Sequence, residues 1–309
     1  MTVALITHPA CLEHDMGPYH PECPDRLRRV LAALEAEEFH PLLREAAPQA
    51  TVEQLTRVHP IAHVEAILSI RPGPDEIFPL DGDTSMSAGS AEAALRAAGG
   101  AVMGVDAVMG GWARAAFVAI RPPGHHAERA TPMGFCLFAN AAVAARHAQA
   151  RWGVERVAVV DFDVHHGNGT QDIFASDPTL FYASSHQHPC YPGTGAAHER
   201  GVGNIFNAPL PPGSGSAVFR AAWERLLLPA LDAFAPGLII VSAGFDAHKA
   251  DPLAQVQLET ADFTWITERL IEQAARHCKG KLVSVLEGGY DLDALSASAA
   301  VHVRALLRG

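Results

Sequence analysis

Four groups of ionisable side chains carry the chemistry of this sequence. The first is Asp161-Phe-Asp163-Val-His165-His166, which follows the apolar run Val157-Ala-Val-Val160 and breaks at Gly167 and Gly169. In an extended segment residues two apart project to one side, so Asp161, Asp163 and His165 share a face while His166 points elsewhere. Carboxylates and an imidazole on one face suit a metal, and four ionisable groups after an apolar run are costly to bury without a metal or partners. The second group is His125-His126, after Arg121-Pro-Pro-Gly124. Two prolines and a glycine put this pair in a turn, where adjacent side chains can face one pocket, as in a regular helix or strand they cannot. The third and fourth are Asp246, in Ala-Gly-Phe-Asp246-Ala-His248, and Tyr290, in Glu-Gly-Gly-Tyr290. Asp163, His165 and Asp246 make a three-ligand set with an open position, suited to zinc or ferrous iron. A metal there lowers the pKa of bound water toward about 7 and polarises a substrate carbonyl. His125 or His126 can serve as general base, and Tyr290, on its Gly-Gly hinge, can donate to a developing oxyanion.

Elements must bring these groups together. Strands are expected at residues 3–7, 115–120, 157–160, 179–184, 237–242 and 281–286. Helices are expected at 25–37, as a pair within 51–69, and at 87–109, 139–151, 214–234, 259–277 and from the last strand to 307. Residues 71–84, with three prolines and two glycines, read as a surface loop of the kind that rims a site, and 186–195 as a loop carrying Tyr191. Strands alternating with helices predict an α/β fold with one parallel sheet covered on both faces. In such a sheet the carboxyl ends of all strands lie on one edge, so the four groups converge. No linker or repeat divides the chain, which reads as a single domain over residues 1–309. His59 and His63 are four apart, but Pro60 intervenes and no Glu follows His59, so they are expected to be structural.

The composition narrows the classes. Of 309 residues 49% are hydrophobic, enough for a substantial core, and the formal charge of -11 argues against binding nucleic acid through a basic face. That charge leaves a cationic peptide or amine open as substrate. Seventeen histidines, in short groups, invite a search for sites. The five cysteines are odd in number, widely spaced and without a C-x-x-C pair, which points to a reducing compartment, and the cytoplasm is the expected location. The N-terminus lacks the pattern of a signal peptide, and no apolar run approaches the roughly 18 residues that span a bilayer.

At these residues the sequence resembles the zinc-dependent histone deacetylase superfamily. Arg-Pro-Pro-Gly-His125-His126, Gly134-Phe135-Cys136, Asp161-Phe-Asp163-Val-His165-His166-Gly-Asn168, Pro192-Gly-Thr-Gly195, Ala-Gly-Phe-Asp246 and Glu-Gly-Gly-Tyr290 occur in the family's order. The likeness begins at His20-Pro-Glu-Cys-Pro-Asp-Arg26 and is closest to the class II branch and its bacterial relatives, the amidohydrolases and acetylpolyamine amidohydrolases. It implies the arginase/deacetylase fold, a three-layer αβα sandwich with an eight-stranded parallel sheet. It implies a catalytic zinc on Asp163, His165 and Asp246, and removal of an acetyl group from acetyl-lysine in a protein or peptide. His126 matches the general base and later acid, and His125 its electrostatic partner, bonded to Asp161. Asn168 stands behind His126 where many class I members have an aspartate, and Tyr290 matches the residue that polarises the acyl carbonyl. Phe135 and Tyr191 match the walls of the acyl-lysine tunnel, with tyrosine in place of the usual phenylalanine at the second. Leu253 and Gly289 match further tunnel positions, and Asp83 a rim aspartate that grips the substrate backbone. A structural potassium is implied near Asp161, Asp163, His165, Ser184 and Ser185.

The alternative substrate is an acetylated polyamine or other small amine. Leu253 stands at one position where polyamine enzymes of the family place an acid, which favours acyl-lysine. An arginase is disfavoured because His248 occupies the place of a further carboxylate, two residues beyond Asp246. A catalytically silent acyl-lysine binder would be marked by loss of Tyr290, His126 or a ligand, and none is lost. The likeness leaves the oligomeric state open.

Overall fold

Runs of β-branched and aliphatic residues without a polar break form the centre of the molecule. The computed structural model describes residues 2–309, and its strands are β1 (Val3–Thr7), β2 (Leu43–Ala46), β3 (Phe78–Pro79), β4 (Ser85–Met86), β5 (Ala115–Val118), β6 (Val157–Asp161), β7 (Leu180–Gln187), β8 (Ile205–Leu210), β9 (Leu238–Ala243) and β10 (Leu282–Leu286). Eight of them form one sheet in the order β2-β1-β5-β10-β9-β6-β7-β8, every pair parallel. β3 and β4 pair separately as an antiparallel ribbon. Every residue of β5, β6, β9 and β10 is buried, as strands covered on both faces must be. Each Val, Leu or Ile so placed contributes roughly 1.5–3 kcal/mol of burial.

Six of the eight strands lie where the apolar runs put them. β2 and β8 were not expected from the residues themselves, and both are sheet edges. β2 reads Leu-Arg-Glu-Ala and is exposed throughout, while β8 carries Asn207 and Pro209. An edge strand needs no continuous apolar run and tolerates proline, so it lacks the signal that marks a central strand.

Helices cover both faces. Ser90–Met109 and Asn140–Trp152 pack on each other and on the sheet, and Pro24–Ala33, Thr260–Cys278 and Leu292–Arg308 make another packed set. Buried alanines along Ser90–Met109 let that helix approach β5 closely. The expected helix over 214–234 is interrupted by a π-helical turn, Trp223–Leu227, just before Pro229, whose ring cannot continue the α-helical ladder. Trp223 is fully buried there and donates to Ser185 Oγ at 3.0 Å. The expected helix at 25–37 ends early, at Ala33.

The loop after β1 is held by buried charge. Arg121 bonds Glu22 through two nitrogens, at 2.5 and 2.6 Å, and also the carbonyls of Cys11 and His14. Arg26 bonds Glu22 at 2.8 Å and reaches the carbonyls of Gly289 and Glu287. All three side chains are inaccessible, and the Glu22 carboxyl, despite burial, is held down at about 2 by the two guanidinium groups. This network ties the N-terminal loop to the segment that carries Tyr290.

Candidate active site

The four site-bearing strands, β5, β10, β9 and β6, are contiguous in the middle of the sheet. The chain leaves β5 for β6 across a gap that β9 and β10 later fill, and ligands of open α/β sheets gather at such crossings. His125 and His126 follow β5, Asp163 and His165 follow β6, Asp246 follows β9, and Tyr290 follows β10. The convergence expected from the sequence is therefore seen.

Asp163, His165 and Asp246 are buried and can each place one donor atom within 4.8 Å of the others, a group that could hold a metal ion. His165 Nδ1 lies 3.2 Å from Asp163 Oδ1 and 3.0 Å from Asp246 Oδ2. Backbone amides aim the carboxylates: Gly288 N–H donates to Asp163 at 2.8 Å and Val164 N–H to Asp246 at 2.8 Å. Glycine is required at 244 and 288, because a Cβ there would overlap the Asp163 or Asp246 carboxylate. Burial and the Asp163 charge push Asp246 up to about 7. Burial also works against charge on His165, but Asp163 and Asp246 hold its ring well above the usual imidazole range. Two carboxylates and one imidazole gathered on one point could hold a metal ion, and that donor set suits zinc or ferrous iron.

The two adjacent histidines occupy opposite electrostatic environments. His125 Nδ1 lies 3.0 Å from Asp161 Oδ2, which also accepts from the Tyr182 hydroxyl at 2.9 Å. Burial opposes charge on His125, yet Asp163 and Asp161 hold it up at about 10. His126 Nδ1 lies 2.8 Å from Asn168 Oδ1, a neutral partner. Burial, then the charges of His125 and His165, push His126 well below the usual range. The rings are 4.0 Å apart. His166, adjacent to a candidate ligand, instead bonds Thr194 and Gln171.

Between these groups and solvent lies a cavity of about 220 Å³ lined by Asp83, His126, Gly134, Phe135, His165, Tyr191, Leu253 and Tyr290. The Phe135 and Tyr290 rings meet edge-on at 5.9 Å, and Tyr191 stands edge-on to His126 at 5.1 Å. Tyr290 is fixed by its backbone N–H to Asp251 at 2.7 Å and by the Arg26 guanidinium 4.8 Å from its ring centre. Burial pushes the Tyr290 phenol well above 10, so it keeps its proton. Asp83 accepts from Thr84 Oγ1 at 2.9 Å, and that hydroxyl accepts from the Phe135 amide at 3.0 Å. Gly289, expected on the wall, is not among the lining residues; its carbonyl is turned to Arg26, and Gly134 lines the cavity. The hydroxyls of Ser184 and Ser185 are engaged by His186 and Trp223, so a cation there would draw on backbone carbonyls.

Other residues of the site were not singled out from the sequence. Glu287 accepts from the amides of Gly124 and His125, at 2.7 and 3.2 Å, and from Ser242 Oγ at 3.0 Å, and burial pushes it up to about 7. Glu128 bonds the Asn168 amide at 2.8 Å. Glu287 opens the Glu-Gly-Gly-Tyr290 motif and Glu128 lies two residues after His126, and their acidity near an expected catalytic residue was the available signal. His59 and His63 stack at 4.7 Å and bond backbone groups. All five cysteines are free.

The description "Histone deacetylase domain" matches residues 20–306. The chain is 41% identical to histone deacetylase 14, chloroplastic, of Arabidopsis thaliana, over 93% of this chain and 73% of that protein. It is 41% identical to the histone deacetylase-like amidohydrolase of Pseudomonas aeruginosa, over 91% of this chain and 79% of the relative. The crystal structure of the HDA15 HD domain superposes with a TM-score of 0.93 at 37% identity, covering 99% of this chain and 88% of that one.

Proposed function

The chain belongs to the histone deacetylase family and is a deacetylase hydrolase with the arginase/deacetylase fold, and from that premise we propose that it is a zinc enzyme that removes acyl groups from lysine side chains of peptides or proteins. The observation that carries this reading is the geometry of two adjacent histidines, His125 bonded to the Asp161 carboxylate and His126 to the Asn168 amide, beside the buried cluster Asp163, His165 and Asp246. Environments that drive two titratable neighbours apart assign their roles. Zinc on the three ligands would supply an acidified water and a polarised acyl carbonyl. His126, with Nδ1 on Asn168 and its other nitrogen toward the cavity, takes a proton from the attacking water. As the water oxygen bonds to the acyl carbon, the Tyr290 hydroxyl donates to the oxygen that becomes anionic, and the His125 imidazolium offsets the gathered negative charge. The carbon–nitrogen bond then breaks, the proton held by His126 passes to the leaving nitrogen, and acetate and a free amine depart.

The cavity walls support the substrate class. Phe135 and Tyr191 offer aromatic surface to an alkyl chain, and Leu253 is apolar where a distal ammonium would want an acid. A small cationic amine is the second reading, because the Asp83 carboxylate lines the cavity. Asp83 would grip the substrate backbone, and a potassium ion near Asp161 would brace the loop after β6. The proposed setting is a single catalytic domain over residues 1–309, acting in the cytoplasm. Free cysteines support that location, and no helix among the described residues is long and apolar enough to cross a membrane.

Turnover of zinc-loaded protein on acetyl-lysine peptides, longer acyl-lysines, trifluoroacetyl-lysine and N-acetylated polyamines tests the proposal. Acyl-lysine is expected to give the highest kcat/KM. Preference for a polyamine overturns the substrate class, and binding without release of acid overturns the catalytic role.

A further inference from the structure

His126 can act as base only if its cavity-facing nitrogen is bare, so its single proton must sit on Nδ1. An aspartate behind it would secure this with either oxygen. Asn168 does not, because an amide presents an acceptor on one side and donors on the other. Turned about, it would face Nδ1 with its NH2 group, and the proton would move to the nitrogen that has to receive one. The orientation of one side-chain amide therefore switches the base on or off, and the structure shows what holds it.

Asn168 Nδ2 lies 2.8 Å from Glu128 Oε1 and 3.3 Å from Met133 Sδ. A carboxylate oxygen and a thioether sulfur only accept, so the NH2 group must face them and Oδ1 must face His126, where it lies 2.8 Å from Nδ1. We propose that Glu128 is a positioning residue for the reaction, which orients the Asn168 amide and through it fixes the tautomer of His126. Its own place is set by a backbone bond to Thr131 at 3.0 Å, and Asn168 is tied to the catalytic turn by the bonds of Gly169 and Thr170 N–H to the His125 carbonyl. The inference rests on His126 being the base.

Glu128→Lys tests it, because an ammonium donates where the carboxylate accepted and draws Oδ1 away from His126. In zinc-loaded enzyme kcat is expected to fall about 100-fold with KM little changed, the scale of a lost general base. With ¹⁵N-histidine labelling, the neutral His126 signals, assigned by their loss in His126→Ala, are expected to exchange from the Nδ1–H to the Nε2–H form. Adding Asn168→Asp supplies an acceptor for both neighbours, and is expected to return kcat to within about tenfold of Asn168→Asp alone. An unchanged tautomer, an unchanged kcat, or a loss that Asn168→Asp does not relieve overturns the role of Glu128. Wild-type activity that persists in His126→Ala overturns the assignment of the base instead.

Discussion

Replacement of Tyr290 by phenylalanine isolates one donor from everything around it. The ring is held by the Arg26 guanidinium, 4.8 Å from its centre, and by the edge of Phe135, and phenylalanine keeps both contacts. The backbone bond from Tyr290 to Asp251, at 2.7 Å, does not involve the side chain. Among the described residues the Tyr290 hydroxyl has no hydrogen-bond partner, so its removal leaves no protein group unsatisfied. The cost to folding should stay below about 1 kcal/mol. The hydroxyl matters where negative charge develops on the acyl oxygen, and its phenol, pushed well above 10 by burial, is protonated across the working range. Loss of one oxyanion donor costs roughly 2.7–4 kcal/mol in the transition state, a fall of about 10²–10³ in kcat. Steady-state kinetics on an acetyl-lysine peptide should show that fall with KM little changed, while metal content and Tm match wild type. Undiminished kcat would remove Tyr290 from the oxyanion role. A loss accompanied by lost metal or a lowered Tm would show that the ring, rather than the hydroxyl, was the contribution.

Three further outcomes follow from the same geometry. Asp246→Asn should cut both metal retention and activity, since it removes one of two anions focused on His165 Nδ1; full zinc content by elemental analysis would count against Asp246 as a ligand. Arg121→Met strands the buried Glu22 carboxylate and should destabilise by about 3–5 kcal/mol, read from urea unfolding; a cost under about 1 kcal/mol would mean that Arg26 alone suffices. Buried His302 and His59 are held neutral by desolvation, at about 3 and about 4, below the 6.5 of an unfolded histidine. Below pH 6.5 the unfolded chain therefore binds more protons, and stability falls as pH falls. Each residue should cost up to about 2 kcal/mol between pH 6.5 and 5, and a flat urea midpoint over that interval would contradict their neutral burial.

The central strands were legible because a strand covered on both faces must be apolar at every position, which leaves an uninterrupted signal in Val157-Ala-Val-Val160 or Leu238-Ile-Ile-Val241. Polar residues directly after such runs stood out for the same reason, so Asp163, His165 and Asp246 could be named before any geometry was known. The edge strands β2 and β8 carry no such constraint, and the residues alone did not reveal them. The sequence also put His125 and His126 side by side in one turn, but nothing local separates two adjacent histidines; of the two, only His126 lines the cavity. Their opposite shifts come from burial together with Asp163 and Asp161 beside His125 and the ring charges of His125 and His165 beside His126, groups brought together when β6 settles with two strands between it and β5 in the sheet. Glu128, Glu287 and Tyr182 acquire meaning only there, because a donor or acceptor counts by what it faces, and facing is decided by packing. The sequence by itself determined which chemistry the chain carries. Only the tertiary structure shows which partner each ring meets, Asp161 for His125 and Asn168 for His126, because the fold alone brings groups so far apart in sequence within hydrogen-bond reach.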